Sequence, residues 1–253
     1  MMGKFVFYMR VVLTLLVLAV FAILMLGFTI LTVGIFLRKN FVWFLAPCGR
    51  VILWFWRLRL EVIPALPVPD RQTVFVFNHT STIDIFALSA LGLPNTRFFL
   101  SGFLRKNPMF AILGYLTGIF WTVRQHYPEK RAQIFHNACE TLKRTGQSVA
   151  LSPEGVRVVS GEIGAFNKGA FHLAAALQAP MRPLFIDITG DANPGFGWNA
   201  GPGVVRIWVG DVIDTAHWRP EDAAQNKEEV RNMYVHWKNR IEAGAEGPHA
   251  KQS

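Results

Sequence analysis

In the stretch Thr73-Val74-Phe75-Val76-Phe77-Asn78-His79-Thr80-Ser81-Thr82-Ile83-Asp84, an apolar strand pattern gives way to a helical one. Thr73 to Phe77 is a β-branched and aromatic run with no charge, as expected of a strand buried on both faces. Ser81 and Thr82 are natural helix caps, and Ile83 to Leu91 reads as the next helix. His79 lies at the junction and Asp84 five positions later, in the first turns of that helix. A histidine so placed can turn its ring back to the carboxylate. The carboxylate then fixes the tautomer, leaves the other ring nitrogen as a base and stabilises the imidazolium that forms. A positioned base of this kind contributes about 10²- to 10⁴-fold in rate. The spacing alone is not specific. It recurs at His217 to Asp222, where Pro220 interrupts it and the segment reads as the lead-in to the last helix.

Outward from this stretch, strand and helix patterns alternate. Arg97 to Leu100, Ile119 to Val123, Ser148 to Leu151, Pro183 to Ile188 and Val204 to Val209 read as strands. Pro128 to Thr145 is the clearest helix, with Pro in its first turn, Ile134, Ala138 and Leu142 on one face, and Gly146 as its stop. Lys168 to Gln178 and Pro220 to Glu242 read as further helices, and Asp191 to Gly203 as a loop. The alternation predicts an α/β fold, a mixed sheet flanked by helices, over residues 61–243. Pro64, Pro67 and Pro69 mark a short linker near its start, and 244–253 reads as a flexible tail.

Residues 1–60 differ in kind. They contain no Asp or Glu and seven Lys or Arg, so this segment carries +7 of the chain's +9. Val11 to Leu37 is uncharged, and nineteen of its residues are Leu, Ile, Val or Phe. As a helix it would be roughly 40 Å long, against a hydrocarbon core of about 30 Å. We read it as a transmembrane anchor. A cleaved signal peptide fits poorly, because the apolar run is too long and no small-x-small site succeeds it. Residues 41–58 hold Trp43, Trp54 and Trp56 between basic flanks and are broken by Pro47 and Gly49. They read as an interfacial or re-entrant helix, with a second span as the alternative. The basic residues after the first run place the catalytic domain on the cytoplasmic face. Charge concentrated in an apolar segment points to anionic lipid rather than nucleic acid as its partner. Cys48 and Cys139 form no metal or disulfide pattern and read as packing residues, and no metal is expected. No GxSxG elbow for a serine hydrolase is present.

Four blocks extend the His79 motif. Gly118 to Arg124 is a glycine, an apolar strand and an arginine. Ser152-Pro153-Glu154-Gly155-Val156-Arg157 is a turn ending in an arginine. Phe166-Asn167-Lys168-Gly169 comes next, then Ala179-Pro180-Met181-Arg182-Pro183-Leu184. With Asn78 to Asp84 they resemble, in order, the NHxSxxD, glycine-to-arginine, FPEGTR, FKxG and proline-opened strand motifs of the glycerolipid acyltransferase family, the lysophosphatidic acid acyltransferases in particular. The resemblance covers roughly residues 55–215. It implies His79 and Asp84 as catalytic residues, and Ser81, Arg124, Glu154, Gly155, Arg157 and Lys168 as substrate-binding residues. Glu154, an anion, would orient Arg124 or Arg157 or contact an acceptor hydroxyl. The implied reaction is direct acyl transfer from acyl-CoA or acyl-carrier protein, as co-substrate, to a lysophospholipid, with no other cofactor and no covalent acyl-enzyme. Ser152, Val156 and Arg182 depart from the family pattern, as does Ser101-Gly102 where a lysine is usual. These departures are expected around the acceptor pocket, which leaves a phosphate-free acceptor such as lyso-ornithine lipid as the alternative.

Overall fold

The computed structural model describes residues 2–34 and 42–244. Seven strands form one sheet in the order β1-β7-β6-β2-β5-β3-β4. They are β1 (Leu58–Ile63), β2 (Val74–Phe77), β3 (Thr96–Ser101), β4 (Phe120–Thr122), β5 (Ser148–Leu151), β6 (Met181–Ile188) and β7 (Gly203–Val209). Neighbours run parallel except β6 and β7. This is the mixed sheet the alternation predicts.

Side chains alternate between two layers, as a strand's period of two requires. Phe75, Phe77, Ala150, Leu184 and Ile186 pack under α1 (Met2–Leu31), α2 (Val42–Phe55), α3 (Asp84–Leu91) and α4 (Pro108–Thr117). Val74, Val76, Val149, Leu151 and Phe185 pack under α5 (Pro128–Thr145), α6 (Gly169–Leu177) and α7 (Ala223–Glu242). β2 is buried throughout because both faces are covered. That explains its unbroken Val-Phe-Val-Phe.

The N-terminal segment departs from expectation in three ways. First, α1 starts at Met2, so Lys4 and Arg10 lie inside the helix; the last three residues of the expected span, 35–37, lie outside the described residues. Second, α1 packs on the domain. Thr14, Leu18, Ala22 and Met25, spaced at helical repeats, are buried, and Trp56 Nε1 donates to Thr14 Oγ1 at 2.9 Å. Its other faces leave Phe5, Tyr8, Val12, Leu16, Val20, Ile23 and Ile30 exposed. Third, α2 is described over Val42–Phe55, about 21 Å of helix, and packs on the domain as well. Its inner face is core. A Cβ on Gly49 would stand 2.6 Å from both the Phe86 carbonyl and the Ala90 nitrogen, so only glycine lets α2 approach α3 this closely. Its outer face exposes Trp43 and Trp54.

Two further elements do not emerge from the sequence patterns. β1 begins at Leu58, within the segment assigned to the anchor, and its Glu61 meets Arg206 of β7 at 2.9 Å. α4 opens on a cap from Asn107, whose Oδ1 accepts the Met109 N–H at 2.9 Å, and closes at Gly118.

Candidate active site

The site lies past the carboxyl end of β2, the central strand, where open α/β sheets hold their ligands. Asn78 ends the strand by pairing with the main chain of β6. Its Oδ1 accepts the Ile186 N–H at 2.7 Å and its Nδ2 donates to the Ile186 carbonyl at 2.9 Å. The next residue, His79, therefore leaves the sheet from a fixed point.

His79 Nδ1 lies 2.7 Å from Asp84 Oδ2. The same oxygen accepts the N–H groups of Thr80 at 2.8 Å and Ser81 at 3.0 Å. Three donors on one oxygen fix the carboxylate in place. With Nδ1–H on the carboxylate, Nε2 is the basic nitrogen. The imidazole is partly exposed, at 30% of its side-chain surface, whereas Asp84 is at 1%. The base faces outward and its orienting charge is enclosed.

The main chain of His79 is held on both sides. Its N–H donates to Glu154 Oε2 at 2.6 Å, and its carbonyl accepts the Val158 N–H at 2.8 Å. The second oxygen of Glu154 accepts the Gly164 N–H at 2.8 Å. From the far side, Arg231 of α7 donates to the carbonyls of Gly164 at 2.8 Å and Ile163 at 3.0 Å. Glu154 is 1% exposed. Burial pushes its carboxyl up, and the two N–H bonds pull it back. Its geometry corrects the expectation that it orients an arginine. Both oxygens are taken by main-chain donors, and no ion pair joins it to Arg124 or Arg157 among the described residues.

The remaining expected residues separate into two groups. Arg157 is at the site: its Nη1 donates to Thr82 Oγ1 at 2.6 Å and to the Gly195 carbonyl at 3.2 Å, and its guanidinium lies 5.5 Å from the Phe196 ring centroid. Desolvation lowers its pKa, and the charge of Asp84 opposes this. Gly155 has φ +68°, and a Cβ there would stand 2.9 Å from Asn167 Nδ2. That amide donates to the carbonyls of Pro153 and Glu154, both at 2.9 Å. Ser81 is fully buried and its Oγ accepts the Ile83 N–H at 3.1 Å, a turn-forming role that leaves it closed to a substrate. Arg124 and Lys168 are exposed, and neither side chain has a hydrogen bond or ion pair among the described residues.

Not all the departures surround the site. Arg182 pairs opposite Phe75, well before the end of β2, and donates to the Gly210 carbonyl at 2.9 Å. It stabilises the sheet away from His79, which corrects its assignment to the acceptor pocket. Val156 is exposed, next to Gly155. His217 and Asp222, the second copy of the spacing, are both exposed and make no contact with each other among the described residues. Both cysteines are buried, and burial pushes the Cys48 thiol up to about 12, which suits a packing role.

Beside the site is an apolar cavity. Leu45 and Cys48 of α2, Ile85 and Phe86 of α3, Phe98 of β3 and Leu113 of α4 are among its lining residues. Ile85 is the residue directly after Asp84 in the chain.

The arrangement is a partly exposed histidine oriented by an enclosed aspartate, on an α/β scaffold with an arginine within the same loop cluster. The acyltransferase family profile matches residues 59–187, about half of the chain. A 1-acyl-sn-glycerol-3-phosphate acyltransferase of the Arabidopsis thaliana chloroplast is 31% identical over 162 residues, which are 62% of this chain and 44% of that protein. The enzyme of the same name from Saccharomyces cerevisiae is 27% identical over 92% of this chain and 78% of its own length. The chain thus spans less than half of the plant relative and most of the yeast one. The crystal structure of the 1-acyl-sn-glycerophosphate acyltransferase of Thermotoga maritima has the same fold, with a TM-score of 0.65 over 92% of this chain and 98% of that one at 21% identity. The chain belongs to the acyltransferase family.

Proposed function

We propose that the protein transfers a fatty acyl group from acyl-CoA or acyl-carrier protein to the free hydroxyl of lysophosphatidic acid, giving phosphatidic acid. The observation that carries this reading is the 2.7 Å contact of His79 Nδ1 with Asp84 Oδ2, which leaves Nε2 as a base at an open face. Nε2 takes the proton of the acceptor hydroxyl as its oxygen attacks the thioester carbonyl. The tetrahedral intermediate collapses, the C–S bond breaks, and the imidazolium returns its proton to the leaving thiolate. The enclosed Asp84 stabilises that imidazolium. Arg157 suits the acceptor phosphate. The names of the relatives support the choice of acceptor.

Membrane attachment belongs to the same proposal. α1 is long and apolar enough to cross a bilayer by length and composition. Its exposed apolar faces, the outward Trp43 and Trp54 and the basic flanks together suit a lipid surface, with the catalytic domain on the cytoplasmic side. An anchored site meets a single-chain lipid acceptor where that lipid resides.

Purified protein given mixed lysolipids and both donors should yield phosphatidic acid as the main product by mass spectrometry. His79→Ala should lower kcat by at least about 10³-fold while leaving the circular dichroism spectrum unchanged. Full activity of that variant would sink the assignment. The departures from the family motif at Ser152 and Val156 motivate a second reading, an acceptor without phosphate. A product derived from lyso-ornithine lipid in the same mixture would establish it.

A further inference from the structure

We propose that Arg131, in the first turn of α5, forms a phosphate-binding site on the flank of the Gly155 turn opposite Glu154's carboxylate; this rests on the acyl-transfer reading of the site. Arg131 belongs to none of the motif blocks. A methyl group on Gly155 would come within 3.5 Å of Arg131 Nη2, 3.2 Å of Gln125 Nε2 and 2.9 Å of Asn167 Nδ2. Three nitrogen groups therefore converge on one face of the turn. Gln125 and Asn167 use their amides on the carbonyls of Glu154 and Pro153 and so brace it. Arg131 does not. It is half-buried, and its side chain makes no hydrogen bond or ion pair among the described residues.

That is an unusual condition for a guanidinium. Arg157 and Arg182 are also partly buried, but each has a carboxylate, Asp84 or Asp211, acting to keep it charged. Arg131 has only the desolvation, which lowers its pKa. Glu154, the acidic residue of the turn, is committed to the N–H groups of His79 and Gly164. The face therefore has donors and no paired anion. The turn adds donors of its own, since the N–H groups of Val156 and Arg157 have no intramolecular acceptor among the described residues. Gly155 itself is exposed, so the face is open to a ligand. A group with several acceptor oxygens and a negative charge, a phosphate, matches a guanidinium fork beside main-chain N–H groups.

Both substrates of the proposed reaction carry phosphate. Lysophosphatidate has a phosphomonoester, and the donor has the phosphates of CoA or the phosphodiester of a carrier protein's pantetheine arm. Arg157 lies on the Thr82 and Gly195 side of the turn. Arg131 thus provides a second, separate cation.

Steady-state kinetics of the full chain in mixed micelles test this. Acyl-CoA, acyl-carrier protein and lysophosphatidate are varied in turn for wild type, Arg131→Gln and Arg131→Lys. In Arg131→Gln the KM of a phosphate-bearing substrate should rise on the order of 10-fold with kcat at saturation retained. Arg131→Lys, with the charge but without the fork, should be intermediate. A rise confined to acyl-CoA or to acyl-carrier protein identifies the donor's phosphate; one confined to lysophosphatidate identifies the acceptor's. An exposed control, Arg144→Gln, should change no KM. Unchanged KM values in both Arg131 variants overturn the site. So does a loss of kcat at constant KM, which would make Arg131 a brace of the turn. If wild type transfers no acyl group to any lysolipid, the acyl-transfer reading has failed. Calorimetric titration with inorganic pyrophosphate then decides the site separately: binding to wild type that is lost in Arg131→Gln supports it, and equal binding or none refutes it.

Discussion

The two flanks of the Ser152–Arg157 turn are built on opposite principles. On the His79 flank the main-chain groups that hold the base, and its own Nδ1, are paired within the chain. Asn78 is bonded to Ile186, the His79 N–H to Glu154, its carbonyl to Val158, and its Nδ1 to Asp84. On the other flank, the side chain of Arg131 and the N–H groups of Val156 and Arg157 have no partner among the described residues. The first arrangement fixes a base before substrate arrives, which removes reorganisation from the chemical step. The second leaves donors free for a ligand. Changes on the closed flank should therefore act on kcat, and changes on the open flank on KM.

The largest effect is expected at Asp84. Asp84→Asn places an amide where one oxygen now accepts three donors. If the amide oxygen keeps the main-chain bonds, the ring can still be held, but the imidazolium loses its counter-charge. We expect kcat to fall about 10³-fold with both KM values near wild type. A fall in lysolipid binding instead would break the division between flanks.

Glu154 comes next. Its two oxygens face two donors, the N–H groups of His79 and Gly164. Glutamine offers one oxygen and one NH₂, so one of these N–H groups must meet another donor. Glu154→Gln should lower kcat about 10²-fold, leave KM for the acceptor unchanged, and cost about 1–3 kcal/mol of stability. Hydrogen–deuterium exchange over residues 78–84 should speed up, which a substrate-contact role would not produce. A raised KM with unchanged kcat would restore Glu154 as an acceptor ligand.

Glu154 also marks how far the sequence is legible. Its place beside Gly155 is visible there, but its partners are not. His79 and Gly164 donate through main-chain N–H groups, one of them 75 residues away, and no side-chain pattern encodes that. The bounds of α5 and β5 can be read to the residue, because Pro128 and Gly146 bracket the helix and four buried residues fill the strand. β1 is obscured because its Arg59 and Glu61 alternate with apolar residues at the sheet's edge and merge with the basic flank of the anchor. α4 is apolar on most of its faces and lacks the periodicity that exposes α5, although Asn107-Pro108 and Gly118 signal its ends. Arg131 lies in the first turn of α5 on the side it shares with Ala138 and Leu142, and a role for its charge is not legible until Gly155 is seen against it.

A smaller effect is expected at Arg157, on the Thr82 and Gly195 side of the turn. Its guanidinium already bonds Thr82 and Gly195 through one nitrogen, so a phosphate would use its remaining donors. Arg157→Ala should raise the KM for lysophosphatidate about 10-fold and leave that for a phosphate-free lysolipid unchanged. Equal rises for both acceptors would assign Arg157 to anchoring the 193–199 loop rather than to phosphate.

The smallest effect concerns the proton on Glu154. Burial raises its carboxyl above the ordinary glutamate value, against the pull of the two N–H bonds. A raised folded-state pKa means that the folded protein holds this proton more tightly than the unfolded chain does. The resulting stability is present in full below the unfolded value and is lost as pH rises through the folded one. Glu154→Gln has no such proton. The stability of wild type relative to the variant, from urea midpoints in detergent, should therefore decline as pH rises through the acidic range and become level above it. A difference that grew with pH would mean that the N–H bonds outweigh burial. In that case the closed flank would favour the ionised carboxylate over its neutral form, and acid would loosen the support of His79.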